Sequence, residues 1–514
     1  MVSEQSRRSG GTAKWGSAVL VLVSIVLCLG LAEAVARLAD NRGIFAEEMY
    51  FGTTQVVPID KYIAGIETGR KSVGNLWTRS PPPLPNRQEP KEEDLERLRE
   101  FGNKPIDIGP TAQLTTSELF KVWNSKLAAD ACNHVVLKPL TRWPLDEFDS
   151  PSGDVRPNYR YRPNATLPTG LVTNQIGWRG KPIDARTPDT IRIVFVGAST
   201  IAEAPALPWS APELLDDWLN AWAQQQGLRV RFQVLNAGRE GAHAADVAAV
   251  VRDEVAPLRP DLVIFYEGAL EFDWSSLVEN ADSLKALPRP QYEDYAGWMA
   301  RAARTSSVVA RIFKALADAG LSIAQVGEAA KPAYKIAWPK GLDEKNPDIT
   351  RQDLPLNLTP ILKQFDTMRV ALNNVGSEFA LSSFAWIVHD GLKVDPVKGR
   401  YIWVTNNRIY WPWTYSDLRR GLDFENRVYR KYAEAHGMAF FDVANLIPAE
   451  PMLFADNVHM TESGIRVKAW AFFRELLPFV QQRLASHTWP RNMGDEPLPG
   501  FKVRREAVNC KDRS

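Results

Sequence analysis

The sequence predicts an α/β protein with a doubly wound, mostly parallel five-stranded sheet, preceded by a transmembrane helix and an irregular accessory region. Two patterns carry that expectation. Five apolar runs rich in β-branched and aromatic residues recur along the chain: IRIVFV (191–196), RFQVL (231–235), DLVIFY (261–266), EFALSSF (378–384) and MAFFDV (438–443). Segments of helical periodicity lie between them, and strands alternating with helices close into a parallel sheet covered on both faces. The second pattern is near the start, where the run Trp15–Ala32, WGSAVLVLVSIVLCLGLA, carries no charge and follows Arg7, Arg8 and Lys14.

That run is at the short end of what spans a bilayer. A cleaved signal peptide, with the small residues around Ala34–Ala36 as its cleavage site, is the alternative. The run exceeds a usual signal core, which favours an uncleaved anchor. On either reading the positive flank stays in the cytoplasm, and the chain beyond about residue 38 is periplasmic or extracellular. The expected organisation is a cytoplasmic tail (1–14), an anchor (15–37), an accessory region with a linker (38–169), the α/β domain (170–487) and a C-terminal tail (488–514). The linker reads SPPPLPNRQEP, whose prolines favour an extended spacer. No periodicity in the accessory region supports a further assignment.

Composition narrows the function classes. The chain has 514 residues, 45% hydrophobic and 24% charged, with a formal net charge of +1, so no basic surface argues for a nucleic-acid partner. Its six His form neither an HExxH pair nor a Cys/His cluster, so no metal and no cofactor is expected. Of three cysteines, Cys28 lies in the apolar run. Cys132 and Cys510 are the exported ones, which leaves one bridge or two free thiols open.

Within the domain, SAPELLDDWLNAWAQQQG (210–227) places Leu214, Leu215, Trp218, Leu219 and Trp222 on one helical face, with Ser210 as cap and Gly227 as stop. A second helix is expected over 416–437, and a mainly helical insert over about 275–370. Parallel sheets bind ligands beyond the carboxyl ends of their strands. At those ends the sequence places VFVGAST with Ser199, NAGREGAH with Gly238 and Gly241, YEGALEFD, and DNVHMTESG (456–464) before the last helix.

These ends carry the residue types of nucleophilic acyl transfer. A Ser hydroxyl needs a base to take its proton, and the base needs a group that orients it. Asp456 and His459 are spaced to meet across one turn, with Ser199 as nucleophile. The N–H groups of Ser199 and Gly238 are candidate donors to the oxyanion that such chemistry develops. Structural alternatives accompany them: Asp456 as a helix cap and His459 as a surface residue. His243 and the His389–Asp390 pair lack the DxxH spacing, and Asp442, inside the last strand, reads as structural. No GxSxG elbow is present.

In their order these motifs resemble the SGNH/GDSL hydrolases over residues 170–485. VFVGAST is similar to the first block of that family, NAGREG to the second, YEGALEF to the third and DNVHMTESG to the last. TNQIGWRG (173–180) resembles a segment of membrane-anchored bacterial members. The resemblance implies a flavodoxin-like SGNH fold and a Ser199–His459–Asp456 triad, with Gly238 contributing an oxyanion N–H. It implies an ester hydrolase acting on O-acyl groups, such as acetyl esters of envelope or exopolysaccharide sugars. An acyltransferase using the same triad is a variant, and a non-catalytic envelope binding or assembly module is the alternative. The bilayer, through the N-terminal helix, and an acylated carbohydrate or other ester are the implied partners. The chain departs from the pattern at Ala198, where the family has an acidic residue, and at Leu270, where it has an oxyanion-donating Asn. Neither Leu270 nor the anionic Glu271 can donate. Asn174, Gln175 and side chains of the insert are candidates to replace that donor, and without a replacement slow hydrolysis or none is expected.

Overall fold

The computed structural model describes residues 10–39, 59–63, 74–78, 81–82, 84–86, 145–149, 160–161, 163–164 and 502–504. It also describes 172–499, apart from breaks at 204–206, 208, 269–270, 320, 322–324, 397–398 and 492–496. Cys132, Cys510 and Leu270 lie outside the described residues.

α1 (Gly10–Ala39) is one continuous helix that encloses the apolar run. Among the described residues no helix is long and apolar enough to cross a membrane, and the side chains of Trp15–Leu20 are not among those described. The large apolar side chains described on α1, Val21 and those from Val23 to Val35, are exposed. A short antiparallel pair, β1 (Leu145–Asp149) with β2 (Arg160–Tyr161), follows in the accessory region.

The central sheet is built from β3 (Thr190–Gly197), β4 (Arg231–Asn236), β5 (Leu262–Tyr266), β6 (Glu378–Ser382) and β7 (Ala439–Phe441). The order is β4-β3-β5-β6-β7, and every pairing is parallel. In domain numbering this is the 2-1-3-4-5 order of doubly wound sheets, whose switch point falls beside the first strand. Each strand falls on one of the five apolar runs. Ile193, Val194, Phe195 and Val196 are fully buried because helices cover both faces, which is why this half of β3 is continuously apolar instead of alternating. A last strand, β8 (Lys502–Arg504), pairs with β1.

Four helices matter for the site. α2 (Ser199–Ala202) follows β3 directly, and α3 (Ala211–Gln226) follows it. In α3, Leu214, Leu215, Trp218, Leu219 and Trp222 are buried, and Gly227 ends the helix at φ 69°. The Glu213 carboxylate accepts from the Ser210 N–H at 2.6 Å, which satisfies one donor at the helix start. α4 (Ala244–Val250) follows β4, and the long C-terminal helix is introduced with the site it positions.

One expectation changes. The insert is helical only in part: short helices run to Asp318, and residues 325–357 are irregular, held by isolated bridges such as Val326–Val394 and Val278–Ile336. Pro332, Pro339, Pro347 and Pro355 fall across that stretch, and each removes an N–H that a helix would need. The described pieces before residue 170 are not all separate from the domain. Trp77 packs edge-on against Trp218 and Phe473, at 4.7 and 4.9 Å between ring centroids. Asn86 Nδ2 donates to the Thr173 and Gly180 carbonyls, both at 3.1 Å.

Candidate active site

Ser199 is the first residue of α2, at the carboxyl end of β3. Gly197, just before it, has no room for a side chain, since a Cβ there would lie 2.2 Å from the Tyr266 carbonyl oxygen of the neighbouring strand. The close approach of β3 and β5 therefore requires glycine and sets where the chain turns. The N–H of Ser199, in the first turn of a helix, has no carbonyl a turn earlier to bond.

His459 and Asp456 come from the loop between β7 and the last helix, α5 (Glu462–Ala485). The two are not on a helical turn. Asp456 Oδ1 accepts from the N–H groups of Val458 and His459 at 2.8 and 2.7 Å, folding the loop around the carboxylate. Its other oxygen lies 2.6 Å from His459 Nδ1, and His459 Nε2 lies 2.8 Å from Ser199 Oγ. Cap duty belongs instead to Thr461, whose Oγ1 accepts from Gly464 N–H at 3.2 Å. Gly464 is needed there, because a Cβ would lie 1.9 Å from the Leu453 carbonyl oxygen. Ser199, His459 and Asp456 thus form one hydrogen-bonded chain between residues 260 apart in sequence.

Burial works against the imidazolium of His459, but the Asp456 carboxylate outweighs it through charge and a hydrogen bond, with Glu203 and Glu240 adding to it. The result is a pKa above the ordinary imidazole value. For Asp456, burial pushes upward, yet the facing His459 and the two backbone N–H groups bring it below the usual carboxylate range. This pairing fixes the ring with Nδ1 toward the carboxylate and Nε2 toward the serine, the orientation a general base needs.

Gly238 lies against the turn that carries Ser199: a Cβ there would come within 2.6 Å of Ala202 N and Ile201 Cγ2. Its N–H, however, donates to Asn236 Oδ1 at 3.0 Å. Asn236 Nδ2 in turn donates to the Ile201 carbonyl at 2.7 Å, so one amide side chain ties the β4 loop to α2. Serving an oxyanion requires the Gly238 N–H to share that bond, a three-centre arrangement that N–H groups commonly adopt.

Asn174 Oδ1 accepts from the Ile176 and Trp178 N–H groups, while its Nδ2 is buried with no hydrogen-bond partner among the described residues, and Gln175 exchanges hydrogen bonds with the Ile183 backbone. Their segment has a structural role. Arg179, fully buried, donates from Nε to Glu213, from Nη1 to the Ala202 carbonyl and from Nη2 to the Leu207 carbonyl, which pins the end of α2 to the start of α3. His243 is an exposed residue at the start of α4, His389 Nδ1 bonds the adjacent Asp390 backbone, and Asp442 pairs with Arg430 and Ser383. Glu271 accepts from the Ala244 N–H. Among the described residues no cluster of His, Cys, Asp and Glu could hold a metal.

Sequence reading missed the support beneath the serine. Lys468, on α5, and Glu203, at the end of α2, form a fully buried ion pair, and Lys468 Nζ also donates to the Thr200 carbonyl at 2.6 Å. Glu203 sits at φ 58°, ψ 162°, a region few residues other than glycine occupy, while its N–H donates to the Ser199 carbonyl. Glu267 Oε2 accepts from the Ala198 N–H at 3.1 Å. Burial raises Glu267 well above the carboxylate range, and the charges of Glu425 and Glu271 add to the shift. No local signal marks either arrangement; only Glu267, inside YEGALEF, belonged to a quoted motif.

No family model matches the chain, and no curated protein does. Among solved structures it is similar to the acetylxylan esterase Axe2 from Geobacillus stearothermophilus, at 15% identity over 56% of this chain and 96% of that one, with a TM-score of 0.31. It is also similar to a GDSL-like lipase from Bacteroides thetaiotaomicron, at 11% identity over 59% and 93%, with a TM-score of 0.28. A putative acylhydrolase from Bacteroides fragilis is similar at 12% identity over 58% and 87%, with a TM-score of 0.27. At this overlap the likeness carries no conclusion about chemistry, which rests on the chain's own residues.

Proposed function

We propose that the chain is an exported, membrane-anchored serine ester hydrolase of SGNH type. The observation that carries the reading is the continuous hydrogen-bonded path from Ser199 Oγ through His459 to Asp456. In the first step Ser199 Oγ attacks the ester carbonyl while its proton passes to His459 Nε2, and Asp456 stabilises the imidazolium. The developing oxyanion takes the Ser199 N–H and a shared Gly238 N–H. Return of the proton from His459 to the leaving alcohol releases it and leaves an acyl-serine, which water, activated by the same His, then hydrolyses. With a sugar hydroxyl in place of water the same groups perform acyl transfer. O-acyl groups, including O-acetyl sugars, are the proposed substrates, following the resemblance of the motifs. The N-terminus would be cytoplasmic and the catalytic domain outside.

A non-catalytic module remains the second reading, favoured by Leu270 in place of a donor Asn and by the engaged Gly238 N–H. Hydrolysis of p-nitrophenyl acetate by the full chain in detergent separates the two, and its pH dependence adds a check. His459 must be neutral to accept the serine proton, so kcat/KM rises with pH through the pKa of the free enzyme's His. Because Asp456 holds that pKa up, the acid limb is expected above about 6.5, the ordinary imidazole value. A limb clearly below that value would show that His459 is not the base, and absence of hydrolysis across a panel of acyl esters would favour the binding module.

A further inference from the structure

Within the insert, two helices stand apart from the main core: α6 (Gly297–Thr305) and α7 (Ser307–Asp318). They pack on each other through Ala303, Ala310 and Phe313, a small cluster of its own, with Trp298 against Phe313 at 6.1 Å between ring centroids. On their outer side, Trp298 is 69% exposed, Ile312 51% and Leu321, just past α7, 61%. Exposed Arg301 and Arg311 accompany them. Large apolar groups beside cationic ones, on short amphipathic helices, are what an interfacial membrane segment presents.

One residue of α1 caps the start of α7. Glu33 of α1 accepts from Ser306 Oγ at 2.7 Å, from Ser307 N–H at 3.0 Å and from Val308 N–H at 3.2 Å, holding the start of α7. Glu33 is also the first charged residue after the uncharged run Trp15–Ala32. A carboxylate is costly inside hydrocarbon, so where the run spans a bilayer Glu33 emerges at its surface. The residue that must leave the hydrocarbon is therefore the one that grips the hairpin.

From this geometry we infer that the α6–α7 hairpin lies in the outer headgroup region of the lipid bilayer beside α1, with Trp298, Ile312 and Leu321 toward the acyl chains and the Arg residues toward lipid phosphates. This rests on the proposed anchor. The apolar surface of α1 from Val21 to Val35 and that of the hairpin then meet one lipid phase, and the α/β domain is held at the membrane by two contacts instead of a single tether.

Site-specific photocrosslinking in the full chain tests both layers. p-Benzoylphenylalanine is placed, one position at a time, at Leu27 in α1, at Trp298, at Ile312, and at the exposed Asp348, and the protein is irradiated in vesicles of radiolabelled phosphatidylcholine. Lipid adducts are expected at 27, 298 and 312, with 298 and 312 at least fivefold above 348. Adducts at 27 with 298 and 312 no higher than 348 would overturn the hairpin's placement and leave the anchor standing. Absence of adduct at 27 would overturn the anchor, and the hairpin's placement with it.

Discussion

Replacing Ser199 by Ala is expected to lower kcat for p-nitrophenyl acetate on the order of 10⁴-fold or more, with the melting temperature and circular dichroism unchanged. The hydroxyl is the only atom removed, and no other described group stands 2.8 Å from His459 Nε2 as an acceptor of its role. Groups acting as one unit lose nearly all their effect when one member is lost, and what survives comes from binding and backbone donors alone. Single-turnover and steady-state rates of the purified variant decide it. A variant retaining activity within tenfold of the native chain would remove Ser199 from the chemistry.

The second large effect concerns stability. Lys468→Met keeps the length of the side chain and removes its ammonium, leaving the Glu203 carboxylate buried beside the serine turn without its ion-pair partner. Breaking a buried ion pair by deleting one partner costs about 3–5 kcal/mol, because the remaining charge stays desolvated. Burial already raises Glu203, and Lys468 opposes that shift, so loss of the ammonium drives Glu203 toward protonation. Denaturant unfolding of Lys468→Met is expected to show that loss. The double variant with Glu203→Gln is expected to recover most of it, since no charge is then left unpaired. A single variant within about 1 kcal/mol of native stability would mean that the pair does not hold the turn.

These two residues mark the limit of what was legible. Strands were readable because a sheet covered on both faces demands apolar runs, and Ile193–Val196 and Leu262–Tyr266 supply them without interruption. Ser199, Asp456 and His459 stood out because each lies next to a strand end or helix start in a short motif with a chemical reason. Lys468 gave no such signal: it is one charged residue among several on its helix, and its partner Glu203 is 265 residues away, so the pair exists only once α5 packs on α2. Asn236 opens NAGREGAH with nothing local to mark its role, which is to accept the Gly238 N–H. The insert misled for a local reason, since its prolines outweigh the scattered apolar periodicity over 325–357.

Active-site labelling tests the central claim most directly. The full chain in detergent is treated with a fluorophosphonate, whose phosphorus accepts the serine oxygen as fluoride leaves and the proton passes to the base. The peptide containing Ser199 is then weighed by mass spectrometry. The account predicts one phosphonyl adduct, on Ser199, formed at least a hundredfold more slowly in His459→Ala. No adduct on Ser199, or labelling undiminished by His459→Ala, would contradict it.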